Sequence, residues 1–195
     1  MATYDVTGNT MTGTLPYDTN SKFGTKAVNF TSTSAFASNI GLDFSSGGAY
    51  HTYSVSVWVR FNGIPTHSVH KLLNNGNTSV GYVFSIRDDG STRAIYGGGT
   101  YDNYTAMDFP AYNNTDYFHC VVTYDGTSNT VSTYVNNSFS RSYTADGSLL
   151  PTNAQLKFGR STYGVFHKSN CKVDQMRIYS RVLTTAEIND LYNEV

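Results

Sequence analysis

Residues 52–61 read TYSVSVWVRF. An apolar repeat of two is what a β-strand presents on one face and a helix cannot. It puts Tyr53, Val55, Val57, Val59 and Phe61 on one side and Ser54, Ser56, Trp58 and Arg60 on the other. The first side demands a core. The second carries the chain's one tryptophan, either as an open platform or beneath a covering helix or loop, and cover is the expectation.

The same grammar recurs along the chain. GYVFSIRDDGSTRAIYGGG (81–99) reads as a hairpin turning at Asp88–Asp89–Gly90, because glycine accepts the positive φ of such turns. DYFHCVVTYDG (116–126) places Cys120, Val122 and Tyr124 on one side, DGTSN turns it back, and TVSTYVNN (130–137) follows. A short strand is expected at 154–160 and the last long one at 171–181. One helix is predicted near the end. Thr184 and Glu187 have capping-box spacing, Leu183 and Ile188 have hydrophobic-staple spacing, and Ile188, Leu191 and Tyr192 share a face. No linker, charge run or repeat divides the chain. The expectation is one all-β sandwich over residues 1–195, with a short C-terminal helix packed on it.

Composition narrows the partners. Charged residues are 14% of the chain and the net charge is −1, against roughly 25% charged in average domains. No basic stripe suits nucleic acid, and no apolar run approaches the roughly 18 residues that insert into a membrane. The N-terminal MATYDVTGNT is polar and lacks signal-peptide features. An excised domain or a virion protein is therefore expected, placed on a virion surface or outside the cell. Two cysteines, Cys120 and Cys171, make no disulfide framework or zinc motif. They are two buried thiols or one bridge.

Several stretches resemble the laminin G-like domains of the concanavalin A-like lectin/glucanase class. FGTKAVNF (23–30), YSVSVWVRF (53–61), YFHCVVTYDGTSNTVSTYVNN (117–137), LKFGRS (156–161) and VDQMRIYSRVLTTAEINDLY (173–192) follow that family's order. Tyr117 stands at a usual tryptophan and Asn136–Asn137 at a usual Asp–Gly turn. The resemblance implies a two-sheet antiparallel jelly-roll sandwich, mostly used as a non-catalytic binder of glycans or proteins. In relatives an acid at the position of Asp174 can bind calcium. By parity Asp174 would share a face with Met176 and Ile178 and point inward at the sandwich rim, where it needs a cation or several hydrogen bonds. Thr31 follows Phe30 where relatives carry a second acid, which favours the hydrogen-bonded alternative.

Catalysis fits poorly. Glycosidases need a carboxylate pair across the scissile bond, whereas the only two glutamates, Glu187 and Glu194, fall in or beside the terminal helix. His119 reads as a structural strand residue. Sugar recognition needs aromatic rings and short polar groups. Residues 96–114 supply Tyr96, Tyr101, Asp102, Asn103, Tyr104, Asp108 and Tyr112, and residues 160–170 add Tyr163 and His167. The expected function is binding of a surface glycan or protein partner. A purely structural capsid or fibre decoration module and a polysaccharide-active enzyme are the alternatives.

Overall fold

The computed structural model describes residues 11–12, 17–30, 36–38, 51–62, 70–74, 82–87, 93–95, 104–106, 116–144, 157–158 and 171–194. The strands in chain order are β1 (Met11–Thr12), β2 (Tyr17–Asp18), β3 (Ala27–Phe30), β4 (Phe36–Ser38), β5 (Tyr53–Phe61), β6 (His70–Asn74), β7 (Tyr82–Arg87), β8 (Arg93–Ile95), β9 (Tyr104–Ala106), β10 (Phe118–Asp125), β11 (Thr130–Val135), β12 (Ser138–Thr144), β13 (Lys157–Phe158) and β14 (Cys171–Tyr179), followed by helix α1 (Thr185–Tyr192). They form two seven-stranded sheets, ordered β1-β4-β13-β6-β7-β8-β9 and β12-β11-β10-β5-β14-β3-β2. Every pairing is antiparallel. The hairpin expected at 81–99 is the β7–β8 pair, and its turn at 88–90 lies outside the described residues.

The alternation of 52–61 makes β5 the middle strand of the second sheet. Its apolar side faces the core, with Val57 opposite Cys120 and Val55 opposite Val122. Its serine side is buried too, because α1 covers it. Ser54 makes that cover specific: its hydroxyl donates to the Arg181 carbonyl at 2.8 Å and accepts from the Leu183 amide at 3.0 Å.

Helix α1 starts as its sequence dictates. The Thr184 hydroxyl accepts from the Glu187 amide, and the Glu187 carboxylate accepts from the Thr184 amide. Leu183 and Ile188 are both buried, with Val121, Tyr179 and Leu191, in one cluster on the outer face of the sheet. The β11–β12 turn has positive φ at Asn136 (47°) and Asn137 (65°), which asparagine tolerates in a two-residue hairpin. The Asn137 side-chain amide donates to the Asn189 side-chain oxygen at 2.7 Å, tying this turn to the helix.

Cys120 and Cys171 are separate buried thiols. Cys120 lies opposite Val57 on one side of β5, and Cys171 opposite Phe61 on the other. Two strand spacings, about 9–10 Å, exceed the roughly 7 Å reach of a disulfide. Burial pushes both thiols well above the usual range.

One glycine is sterically fixed. A Cβ on Gly126 would lie 2.5 Å from the carbonyl oxygen and from the ring of His51. Gly126→Ala is therefore expected to cost about 1–3 kcal/mol, the usual range for overpacking. Adding His51→Ala should not restore stability, because the carbonyl oxygen stays in place. Urea unfolding of both variants checks this.

Candidate functional site

Asp174 is positioned by an irregularity that strand parity does not foresee. It pairs with Trp58, whereas Ile178 pairs with Val55, and the register shifts between Asp174 and Arg177. Gln175 takes φ 49° inside this bulge. The bulge swaps faces, so Asp174 lies on the helix side with Trp58 and not on the core face of Ile178. This corrects the inward placement inferred from simple alternation.

The Asp174 carboxylate faces backbone donors. One oxygen accepts from the amides of Lys22 (2.9 Å) and Phe23 (3.0 Å), the other from that of Gln175 (2.9 Å). Tyr117 holds the same turn by donating its hydroxyl to the Asn20 carbonyl at 2.6 Å. That phenol is pushed up to about 12, first by burial and then by the Asp174 charge. Amide protons aimed at a carboxylate suit a structural acid. They compete with a cation, which needs those lone pairs for itself. Among the described residues no group of three or more His, Cys, Asp or Glu side chains is placed to hold a metal. The described surroundings of Asp174 thus do not fit calcium.

Trp58 is covered, as expected, and is only 4% exposed. Tyr192 of α1 stacks on it (centroids 5.5 Å, 18° between planes), Phe23 meets it edge-on at 5.6 Å, and Lys22 Nζ sits 4.4 Å from its ring centre. It is the hub joining the helix to the turn held by Asp174, and no sugar platform.

His119 lies beside this hub, 5.0 Å from Trp58 and 5.9 Å from Tyr192 between ring centres. Its Nε2 shares a hydrogen bond with Ser56 Oγ at 2.8 Å, and its buried Nδ1 has no partner. Burial, then the Arg177 charge, lowers its pKa to about 4, with Glu194 opposing. The unfolded state therefore takes up this proton first as pH falls. Stability is full above about 6.5 and is lost between there and about 4, by about 3 kcal/mol. Chemical unfolding of the native chain and of His119→Gln across that window should show a shallower acid loss in the variant.

Both glutamates are engaged in ion pairs. Arg181 grips the Glu187 carboxylate with two nitrogens (2.6 and 2.7 Å), and Arg177 pairs with Glu194. The Arg181 hydrogen bonds, with the Thr184 amide, hold Glu187 down to about 2.

The loop residues proposed for recognition fall largely outside the described residues: Tyr96, Tyr101, Asp102, Asn103, Asp108, Tyr112, Tyr163 and His167. Tyr104 is placed by its backbone at the head of β9, opposite Ile95. The strand register shows where these segments leave the first sheet. Residues 96–103 leave from the end marked by Ile95 and Tyr104. The segments carrying Asp108 and Tyr112, and Tyr163 and His167, leave past Ala106 and Phe158. By register Ala106 lies level with Arg87 and Phe158 level with Phe84.

Reading the sequence missed the pairing of Asp174 with the amides of Lys22 and Phe23, since backbone donors leave no residue signature. It also missed Ser54 and Ser56 as anchors. The available signal was two serines on the far side of a core strand that also carried a covered tryptophan.

The chain belongs to the concanavalin A-like lectin/glucanases superfamily, whose laminin G-type profile matches residues 24–189. The two antiparallel sheets are thus a concanavalin A-like sandwich. No curated protein matches the chain. Similar solved structures include domain 4 of AbnA, an extracellular GH43 arabinanase from Geobacillus stearothermophilus in complex with arabinotriose (22% identity, TM-score 0.69, 95% of this chain and 88% of that one). The binding domain of botulinum neurotoxin serotype D is similar at 17% identity and TM-score 0.70, over 94% of this chain and 46% of that one. The binding domain of Paraclostridial Mosquitocidal Protein 1 is similar at 15% identity and TM-score 0.69, over 92% and 45%. The chain therefore spans less than half of either toxin binding domain. Among the described residues, no helix is long and apolar enough to cross a membrane.

Proposed function

We propose that the chain is a single non-catalytic module that binds a surface glycan. The observation that carries this reading is its match to nearly the full length of the arabinanase domain 4, whose structure holds arabinotriose. The state of the glutamates supports the non-catalytic part. A glycosidase acid must hold a proton near neutral pH, whereas Glu187 is fixed as an ionised helix cap.

Because the helix side of the second sheet around β5 is filled by Trp58, Tyr192 and Phe23, recognition is assigned to the first sheet's loops, with Tyr96, Tyr101, Asp102, Asn103, Tyr104, Asp108, Tyr112, Tyr163 and His167 as contacts. Asp174 serves as a structural acid. The neutral polar composition suits a virion-surface or extracellular setting. A glycan array probed with the whole chain tests the reading. At least one glycan should be retained, and Tyr101→Ala with Tyr112→Ala should weaken it about tenfold, the usual loss for aromatic anchors. Uniform absence of binding would instead favour a structural decoration module.

A further inference from the structure

The outer face of the β11–β12 hairpin carries an arrangement that the loops do not explain. Three cross-strand pairs follow one another on it: Thr130 with Thr144, Ser132 with Ser142, and Tyr134 with Phe139. Tyr134 lies on the helix side of the sheet, opposite Val121, so all three pairs share that face. Phe139 is 60% exposed, the most of any large hydrophobic side chain described. Its ring meets Tyr134 edge-on with centroids 5.6 Å apart. Tyr134 in turn packs against the buried cluster beneath α1.

The only charged residue of the two strands, Arg141, is paired with Thr133. Thr133 belongs to the core-facing row with Val131 and Val135. The outer rows of these two strands are therefore uncharged, an aromatic pair at one end and then two hydroxyl pairs, with Asp125 of β10 beside the Thr130 end. The platform is also stiff, because the turn beside it is bonded to α1 through Asn137 and Asn189.

We propose that this strip is a second carbohydrate site, for a neutral oligosaccharide. The Phe139 ring would take the apolar face of one sugar unit, and Ser132, Ser142, Thr130 and Thr144 would exchange hydrogen bonds with hydroxyls of the next. The hydroxyl pairs decide the class of ligand. An apolar protein segment, or a second copy of this chain, would bury the hydroxyls of Ser132, Ser142 and Thr144 without partners, at a cost for each, while that of Thr130 is already bonded to Ser128. A neutral sugar offers a donor and an acceptor to each of them, and an acidic glycan would find no cation on the strip.

Amide chemical-shift mapping of the whole chain tests this with arabinotriose, xylotriose and maltotriose, and a heparin oligosaccharide as the anionic control. At least one neutral trisaccharide should shift amides within 130–144, and heparin should not. Phe139→Ala should weaken that binding about tenfold, as loss of an aromatic anchor does, and leave urea unfolding unchanged because the side chain is exposed. Shifts confined to other segments, shifts that survive Phe139→Ala, or no shift with any of the three would overturn the site. A dimer in sedimentation that Phe139→Ala abolishes, with no glycan shift in the strip, would assign the surface to a second copy and overturn it too.

Discussion

Asp174→Ala is expected to destabilise the fold by about 3–5 kcal/mol, the range for removing the acceptor from a buried, charge-assisted network. Three backbone amides, those of Lys22, Phe23 and Gln175, lose their acceptor together. The side chain is only 9% exposed, so water replaces it poorly. Asp174→Asn should be nearly as harmful, since its amide nitrogen would face donors. Adding EDTA or calcium to the native chain should leave its melting temperature unchanged. A melt that calcium raises and EDTA lowers would reinstate Asp174 as a metal ligand. Equilibrium unfolding in urea measures the first effect and a thermal melt the second.

Trp58→Ala is expected to cost about 3–5 kcal/mol, the range for truncating a buried large aromatic. Tyr192, Phe23, His119 and Lys22 all lean on this ring, and they come from the helix, the β2–β3 turn and β10. The cavity therefore opens where these three elements meet. Trp58 also lies opposite Asp174 in register, and Phe23 touches both. The double variant with Asp174→Ala should lose less than the two single costs added, because neighbours in one network are not independent. Unfolding monitored by circular dichroism follows all three variants. Strict additivity would show that the turn and the helix are held separately.

These two residues mark how far the sequence could be read. The period-two pattern of 52–61 gave β5 and its faces, because burial on one side of a strand leaves that signature. The capping box and staple gave α1, since both are local and need only spacing. Asp174 shows the limit. Its position at the start of the last strand was legible, but its face was not. Gln175 adopts positive φ without being glycine, and no residue pattern announces that bulge. Two of the three amides that Asp174 accepts from, those of Lys22 and Phe23, are about 150 residues away in sequence, a contact that only the assembled sheet creates. The recognition loops were legible as composition alone. Tyrosines interleaved with Asn and Asp suggest a ligand, but spacing does not say from which end of a sheet each segment leaves.

The central claim is that this sandwich binds a glycan without cleaving it. The direct measurement is to incubate the purified chain with a panel of neutral and acidic polysaccharides, scoring retention in affinity electrophoresis and new reducing or unsaturated ends in the same samples. Retention by at least one polysaccharide is expected, with no product from any and unchanged emission from the covered Trp58 when binding saturates. Release of product, or no retention across the whole panel, would contradict it.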